Sequence, residues 1–190
     1  MQHFIKIVAI DFKIFKEKSM SVVEPIRSKK DLLRIEKYLM KKNYRDYTMF
    51  KLGINCGLRI SDILSLNVSD VYDKDSIELV EKKTKKRRKI PLNDTIKGVL
   101  KRYLRNKYIE QPLFSSVNGV RLERTYAYRI IKSSCSIHTL RKTFGYHFYK
   151  KYQNIALLQK ILNHSHPSIT LKYIGITDEE IYESQANFKL

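Results

Sequence analysis

The sequence predicts a mainly α-helical domain that carries one small antiparallel β-hairpin, an α+β fold class. From residue 28 onward, apolar residues recur at the spacing of one helical face in successive segments. Residues 71–92 change to an alternating pattern, which is typical of two short strands joined by a tight connection. The sequence contains no internal repeat and no low-complexity linker. These observations favour one compact core, as does the length of 190 residues.

Two helices are expected in the first third of the chain. Ser28 can cap the first, because its hydroxyl is followed three residues later by the carboxylate of Asp31. The inward face of this helix comprises Leu32, Ile35 and Leu39. The second helix is expected from about Asp46, and its inward residues are Tyr47, Phe50 and Ile54. Gly53 allows close packing within it, and Gly57 allows it to stop.

A short helix and then the hairpin are expected next. Arg59 stands just ahead of the short helix, where backbone N–H groups and the helix dipole favour an anion. Within residues 71–92, Ile77 and Leu79 alternate with polar neighbours, and the basic run 82–89 follows. The tip of the hairpin is therefore expected to be cationic.

Helices are expected to complete the domain. Asn93 or Asp94 caps the first of them, whose inward residues are Ile96, Leu100, Tyr103 and Leu104. A second is expected around residues 121–132. Residues 138–151 form a third, with Leu140, Phe144 and Phe148 on one face.

The last two expected helices surround a histidine-rich connection. One of them has an apolar face made of Ile155, Leu158, Ile161 and Leu162. Ser165 and Pro167 begin the other, which carries Tyr173.

The chain is strongly basic, with a formal net charge of +19 and a pI of about 9.9. Such a charge predicts a polyanionic partner, with nucleic acid first and an anionic membrane surface second. The alternative is a basic surface that is merely solvated. Charge alone does not separate an enzyme from a DNA-binding scaffold.

Cysteine usage and hydropathy indicate a cytoplasmic protein. Cys56 and Cys135 show no CxxC spacing, so neither a disulfide framework nor a structural zinc site is expected. No apolar run approaches the ~20 residues of a membrane span. Lys6 and Asp11 interrupt the apolar stretch near the N-terminus, which excludes a signal peptide there.

Three parts of the chain are expected to differ in role. Residues 1–26 form an N-terminal extension of uncertain structure, since residues 1–19 suit a helix and a strand equally well and Met20 is an alternative start. Residues 27–176 form the main domain. Residues 177–190 form an acidic C-terminal tail.

Four side chains could bind a phosphate and move protons beside it. Arg59 and Arg141 each offer a rigid fork of N–H donors, which suits two charge-assisted hydrogen bonds to a phosphate. His138 and His164 can hold or move protons near neutral pH. His164 and His166 could also form a metal pair, but no third ligand lies nearby in the sequence, and no metal or cofactor is expected.

Tyr173 is a candidate oxygen nucleophile, and Lys83 is a candidate acid for the leaving oxygen. A tyrosine hydroxyl with a pKa of about 10 needs nearby cations or a base to act near pH 7. The chain has 13 tyrosines, so a packing role is the alternative for any one of them. These segments contain no acidic cluster for magnesium, so two-metal phosphodiester chemistry is not expected.

Five separated segments, taken in order, resemble the tyrosine recombinase (phage integrase) family over residues 27–176. They are Gly57-Leu58-Arg59-Ile60-Ser61-Asp62, a basic hairpin lysine before Ile90-Pro91-Leu92, His138-Thr139-Leu140-Arg141, Leu162-Asn163-His164-Ser165, and Tyr173. The resemblance implies an integrase-like core that breaks and rejoins DNA without metal or ATP.

The same resemblance implies a role for each site residue. Tyr173 would attack the scissile phosphate and leave a 3′-phosphotyrosyl bond and a 5′-hydroxyl. Arg59 and Arg141 would bind the non-bridging oxygens of the phosphate, and His164 would form a hydrogen bond to it. His138 would act as general base and Lys83 as general acid. Asp62 would support the site from the side away from the DNA. Lys83 is chosen among the hairpin lysines by its distance from Ile90-Pro91-Leu92.

The chain departs from the family pattern in three respects. Asn163 stands where the family usually has glycine, and Lys142 stands where histidine is common. We expect both changes to be tolerated. Residues 1–27 cannot form the helical DNA-clamping domain that usually precedes this core, so the chain is either a minimal catalytic domain or part of a longer product.

Double-stranded DNA is the expected partner, and a homo-oligomer, a tetramer on DNA, is the expected assembly. The resemblance implies that the tail packs on a neighbouring protomer through Ile181, Tyr182 and Phe188, and packing of these residues on their own core is the alternative. The side chains expected to contact DNA at the hairpin are Lys82, Lys85, Lys86, Arg87 and Arg88. The expected activity is site-specific recombination or integration of a mobile element such as a phage. Two alternatives are a non-catalytic DNA-binding regulator and a topoisomerase-like enzyme that nicks and closes DNA.

Overall fold

The computed structural model describes residues 24–132, 137–176 and 178–189. The expectations for residues 1–19, Met20 and Cys135 therefore lie outside the described residues, as does the side chain of His138. No helix in the described ranges is long and apolar enough to cross a bilayer. The helices and the single antiparallel sheet confirm the predicted fold class.

The first two helices begin at side-chain caps. Helix α1 spans Lys29–Lys42, and the hydroxyl of Ser28 accepts a hydrogen bond from the backbone N–H of Asp31 at 3.3 Å, as predicted. Helix α2 spans Tyr44–Cys56 and begins two residues earlier than expected, because the side chain of Asn43 caps it. Helix α3, Ile60–Ile63, follows after one short reversal.

The hairpin lies between α3 and the next long helix. Strand β1, Ser76–Val80, pairs antiparallel with strand β2, Arg87–Pro91. Ile77 pairs with Ile90, and both are buried, which confirms the alternation seen in the sequence. Residues 81–86 connect the strands, and we call them the lysine turn.

The remaining helices follow in the expected order. They are α4, Asp94–Tyr103; α5, Arg124–Lys132; α6, Ile137–Tyr152; α7, Ile155–Leu162; α8, Pro167–Ile174; and α9, Asp178–Ala186. The side chain of Asn93 caps α4. Helix α8 begins at Pro167 with His166 as its cap residue, so Ser165 precedes the helix.

Helix α5 begins later than the expected position near residue 121. Arg121 instead pairs with Ser115 across the preceding turn. Its guanidinium donates hydrogen bonds to the carbonyls of Leu64 and Leu66 at 2.7 and 2.9 Å. These bonds favour an extended backbone at Arg121 and tie the connection to the end of α3.

Helix α2 is the centre of the main hydrophobic core and packs against α1, α4 and α6. An added Cβ at Gly53 would lie 2.7 Å from Leu140 on α6, so this glycine permits the close approach of the two helices. Gly57 ends α2 in the left-handed region, at φ 59°, against the ring of Phe144. The chain therefore turns sharply at Gly57, and this turn places Arg59 beside α6.

A smaller apolar cluster holds α6, α7 and α8 together. Leu158, Leu162 and Ile174 are its buried members. The side chains packed against them include Phe144, Phe148, Tyr149, Ile155 and Tyr173. The Tyr173 side chain therefore packs on this apolar cluster, where α6, α7 and α8 meet.

Residues 24–28 tie the start of the described chain to α6 and to the end of α8. The backbone N–H of Ile26 donates to the hydroxyl of Thr143 at 2.9 Å, and the ring of His147 donates to the Ile26 carbonyl at 2.9 Å. Arg27 donates to the carbonyl of Gly175, at the end of α8, at 2.8 Å.

Candidate active site

Arg59 is positioned by the reversal between α2 and α3. It is the residue before the first turn of α3 and has an extended backbone, at φ −71° and ψ 149°. Its Nη1 lies 3.0 Å from Oε2 of Glu81, at the end of β1. The Arg59 side chain is 21% exposed, unlike the almost fully buried Arg141.

Arg141 approaches the same point from α6 and is almost fully buried. Its Nη1 donates to the carbonyl of Gly57 at 2.6 Å, and its Nη2 donates to the carbonyl of Leu162. Nη1 also lies 4.0 Å from Oε1 of Glu81. No described residue accepts a hydrogen bond from its buried Nε, which leaves one donor for a further acceptor.

The pKa of Arg141 is lowered to about 10, mainly by burial and also by the neighbouring charge of Arg59, whereas Tyr173 and Glu81 raise it. The group therefore remains a cation at neutral pH.

Glu81 is the carboxylate at the centre of this cluster, and its side chain is 0% exposed. It accepts hydrogen bonds from the hydroxyl of Thr84 at 2.5 Å, Nη1 of Arg88 at 2.8 Å and Nδ2 of Asn163 at 3.0 Å. Burial alone would raise its pKa, but these bonds and the charge of Arg59 outweigh burial and lower the pKa to about 2. Glu81 is therefore ionised at neutral pH.

Arg88 differs from the other basic residues of the hairpin. Its side chain is only 11% exposed and points toward Glu81, whereas Lys82, Lys85, Lys86 and Arg87 are exposed. The sequence predicts Arg88 among the side chains that contact DNA at the hairpin. Its ion pair with Glu81 instead joins β2 to the arginine cluster.

His164 lies two residues after the end of α7 and contacts Tyr173. Its Nδ1 lies 3.0 Å from the hydroxyl of the buried Thr170, and its ring meets the ring of Tyr173 edge-on at 4.6 Å between centroids. The pKa of His164 is lowered to about 4, mainly by burial and also by the charges of Arg141 and Arg59. The imidazole is therefore neutral at physiological pH.

Tyr173 lies on α8 and is half-buried between the small apolar cluster and the site. Gly145 on α6 lies beside it, and a Cβ there would make an ordinary van der Waals contact, 3.7 Å, with the Cβ of Tyr173. The ammonium of Lys142 lies 5.8 Å from the centroid of the Tyr173 ring. The lysine that replaces the common histidine thus faces the candidate nucleophile.

Asp62 fixes the lysine turn to α3. Its side chain is fully buried, and Oδ1 accepts a hydrogen bond from the backbone N–H of Lys82 at 3.0 Å. The side chain of Lys83, the next residue, is exposed. Asp62, the predicted supporting residue, therefore restrains the backbone next to Lys83, the predicted general acid.

The structure brings Arg59, Arg141, His164 and Tyr173 to one site, with the turn that carries Lys83 beside it. His138 lies on α6, three residues before Arg141, and only its backbone is described. An open groove of about 380 Å³ adjoins the site, and the residues that line it are Lys86, Ala156, Gln159, Lys160, Asn163 and His164. In the described ranges, no group of three or more His, Cys, Asp or Glu could hold a metal ion.

Glu81 and Asn163 are the site residues that sequence reasoning did not assign. The sequence does hold a signal for Glu81, because it is a carboxylate directly before a run of basic residues. Asn163 stands where the family usually has glycine, and the sequence alone predicts only that this change is tolerated.

A comparison with known sequences gives a family match over most of the chain. The profile of the phage integrase family matches residues 28–180. The chain is 47% identical over 169 residues to "Probable integrase/recombinase YoeC" of Bacillus subtilis (strain 168), which covers 84% of this chain and 93% of the relative. It is 32% identical to "Tyrosine recombinase" of Pseudothermotoga lettingae, covering 88% of this chain and 66% of the relative.

The chain spans nearly all of the first relative but only about two thirds or less of others. For "Tyrosine recombinase XerD" of Oceanobacillus iheyensis, the identity is 31%, and the match covers 76% of this chain and 55% of that protein.

Solved structures share the fold. The crystal structure of XerA recombinase matches with a TM-score of 0.73 at 21% identity, covering 90% of this chain and 68% of that chain. The pre-cleavage complex of XerH site-specific recombinase bound to difH substrate matches with a TM-score of 0.63 at 20% identity, covering 90% and 56%.

Proposed function

This chain belongs to the phage integrase family, and from that premise we propose that it is the catalytic domain of a tyrosine-type site-specific DNA recombinase. The observation that carries the proposal is the convergence of Tyr173, His164 and two arginines at one site. The names of the relatives support the same activity. Residues 27–176 constitute the catalytic domain in this proposal.

The proposed reaction exchanges one phosphodiester for another. The phenol of Tyr173 loses its proton to a base, assigned to His138, and its oxygen bonds to phosphorus. The bond from phosphorus to the 5′-oxygen breaks, and Lys83 supplies a proton to that oxygen. The products are a 3′-phosphotyrosyl bond and a 5′-hydroxyl, and rejoining reverses the step without ATP.

Arg59 and Arg141 stabilise the transition state by binding the non-bridging oxygens of the phosphate. The partial exposure of the Arg59 side chain and the unpaired Nε of Arg141 support this role. A neutral His164 can donate to the same phosphate from Nε2 if the hydroxyl of Thr170 donates to Nδ1. Its pKa of about 4 supports the neutral form.

A covalent-trapping assay tests the proposal. We expect a protein–DNA adduct on nicked suicide DNA from the junction of the chain's own element, attached to the 3′ side of the break. Mass spectrometry of the adduct should identify the peptide that contains Tyr173. Tight binding in a gel shift without any adduct would instead favour the non-catalytic DNA-binding regulator.

The topoisomerase-like alternative shares this first step, so a second substrate separates it from recombination. Paired sites should yield exchanged strands if the domain recombines DNA. Relaxation of a single supercoiled circle without strand exchange would favour the nicking and closing enzyme.

The proposed assembly is a homo-oligomer, a tetramer on DNA, joined through the tail. Ile181, Tyr182 and Phe188 are 48%, 74% and 70% exposed in the single chain, so they do not pack into its own core. Exposed apolar side chains on a short terminal helix support packing on a neighbouring protomer.

Removal of the tail should abolish self-association on DNA. We expect a chain that ends at Asp178 to sediment with DNA as a monomer, because the apolar anchors are lost while Tyr173 remains. The double variant Ile181→Asp and Phe188→Asp, which keeps the tail, should behave in the same way. Unchanged assembly in both variants would exclude the tail as the contact.

A further inference from the structure

The lysine turn, residues 81–86, lies beyond the last residue pair of β1 and β2 and is closed by its own backbone hydrogen bonds. The N–H of Glu81 donates to the carbonyl of Lys86 at 3.0 Å, and the N–H of Lys85 donates to the carbonyl of Glu81 at 2.9 Å. Lys85 adopts a positive φ of 57° to complete the turn. These bonds set the shape of the turn but do not fix its direction relative to α7 and α8.

Two tethers from other elements fix that direction. Asp62 on α3 holds the backbone of Lys82 at 3.0 Å. On the opposite side, Nδ2 of Asn163 donates to Oε2 of Glu81 at 3.0 Å and lies 3.1 Å from the hydroxyl of Thr84. The hydroxyl of Thr84 in turn donates to Glu81 at 2.5 Å.

Lys83 lies between the two side chains that Asn163 contacts. Glu81 is two residues before it, and Thr84 follows it directly. Contact with both therefore restrains the backbone on either side of Lys83. The bond to Glu81 is charge-assisted, because that carboxylate is ionised, and such bonds are stronger than neutral ones.

Asn163 is suited to this contact by its place at the end of α7. It ends the helix in the left-handed region, at φ 53° and ψ 46°, a conformation that glycine and asparagine both accept. Glycine would satisfy the backbone equally well but would supply no amide. The asparagine thus adds a contact between α7 and the lysine turn without backbone strain, one residue before His164.

We propose that Asn163 is a positioning residue whose amide holds the lysine turn against the end of α7 and thereby aims Lys83 at the leaving 5′-oxygen. The inference rests on the proposed function, in which Lys83 is the general acid. A lysine side chain is long and flexible, so the position of its backbone limits where its ammonium can act. No described residue forms an ion pair with the Lys83 ammonium.

The structural half of the proposal can be tested without activity. In Asn163→Gly, we expect limited trypsin cleavage within residues 82–87 to be about fivefold faster than in the wild type. Loss of the hydrogen bonds from Asn163 raises the fraction of molecules in which the lysine turn is open to the protease. Asn154→Gly is the matched control, since Asn154 caps the other end of α7 by accepting a bond from Leu157 at 2.8 Å. An equal rate in wild type and Asn163→Gly would overturn the proposal.

The chemical half is tested by changing the leaving atom. A 5′-bridging sulfur leaves as a thiolate and needs no proton, so it removes the demand for a general acid. On ordinary DNA, we expect Asn163→Gly to form the adduct about tenfold more slowly, as misplacement of an acid predicts. On sulfur-bridged DNA, its rate should match the wild type, and Lys83→Ala should be rescued in the same way.

Each other outcome has a definite meaning. Equal slowing of Asn163→Gly on both substrates would indicate a general structural defect and overturn the positioning role. If Lys83→Ala remains slow on sulfur-bridged DNA, Lys83 is not the general acid, and Asn163 then has no acid to position. If the wild type forms no adduct on either substrate, the proposed function fails, whatever the trypsin result.

Discussion

Tyr173→Phe should abolish the covalent adduct while leaving the fold and DNA binding intact. The substitution removes only the oxygen that becomes bonded to phosphorus, so adduct formation should fall by at least about 10³-fold. The ring remains half-buried and keeps its edge-on contact with His164 at 4.6 Å. Denaturing gels of trapped complexes would measure the loss, and gel shifts and thermal unfolding would confirm that binding and folding persist.

Tyr149→Phe is the matched control for this experiment. Tyr149 packs on the same small apolar cluster as Tyr173 but is not among the proposed site residues. The control should form the adduct at the wild-type rate. An adduct that persists in Tyr173→Phe would assign the nucleophile to another of the 13 tyrosines and refute the proposed chemistry.

Glu81→Gln should lower the free energy of unfolding at neutral pH by about 3 kcal/mol, since removal of one partner of a buried ion pair leaves the other charges uncompensated. Arg59 and Arg88 lie 3.0 and 2.8 Å from this carboxylate and would face a neutral amide. Urea unfolding at pH 7 would measure the change. Glu78→Gln is the control, because Glu78 on the same hairpin pairs with Lys89 in an exposed contact and should cost much less.

The effect of Glu81→Gln should depend on pH in a defined direction. The folded pKa of Glu81, about 2, is below its usual value of 4.5. The stabilisation from its charge is therefore present above about pH 4.5 and is lost as the pH falls toward 2. The difference in stability between wild type and variant should be constant near neutrality and shrink in acid. A difference that stays constant down to pH 3 would contradict this.

His164 should add a separate acid destabilisation to both proteins. Its folded pKa of about 4 is below the ordinary 6.5, so the unfolded chain binds a proton that the folded chain excludes. Stability from this source is lost as the pH falls from 6.5 toward 4. Because wild type and Glu81→Gln share the residue, their difference largely removes its contribution.

The sequence predicted the elements whose signals are local. The caps at Ser28 and Asn93, the reversal at Gly57 and the alternation around Ile77 each depend on a few neighbouring residues, and each is found in the structure. The approach of Arg59 to Arg141 was expected from the family resemblance. It depends on Gly53, which permits the close packing of α2 on α6.

The roles of Glu81 and Asn163 could not be predicted in the same way. They are 82 positions apart in the chain, so no local pattern connects them. From the sequence alone, Glu81 could equally have been an exposed hairpin carboxylate, as Glu78 is. Its burial arises because arginines from α3, β2 and α6 converge there, and that convergence is a property of the tertiary fold.

The carboxylate of Glu81 also sets the net charge of the arginine cluster. Arg59, Arg88 and Arg141 surround this one carboxylate, which leaves a formal surplus of two positive charges. A phosphodiester carries a single negative charge, whereas the phosphorane formed when a phenolate attacks it carries two. In the proposed mechanism, the cluster is therefore charge-matched to the phosphorane rather than to the intact phosphodiester, so its attraction increases as the reaction proceeds. On that proposal, the basic exterior attracts DNA in general, whereas the arginine cluster favours the phosphodiester that is being broken.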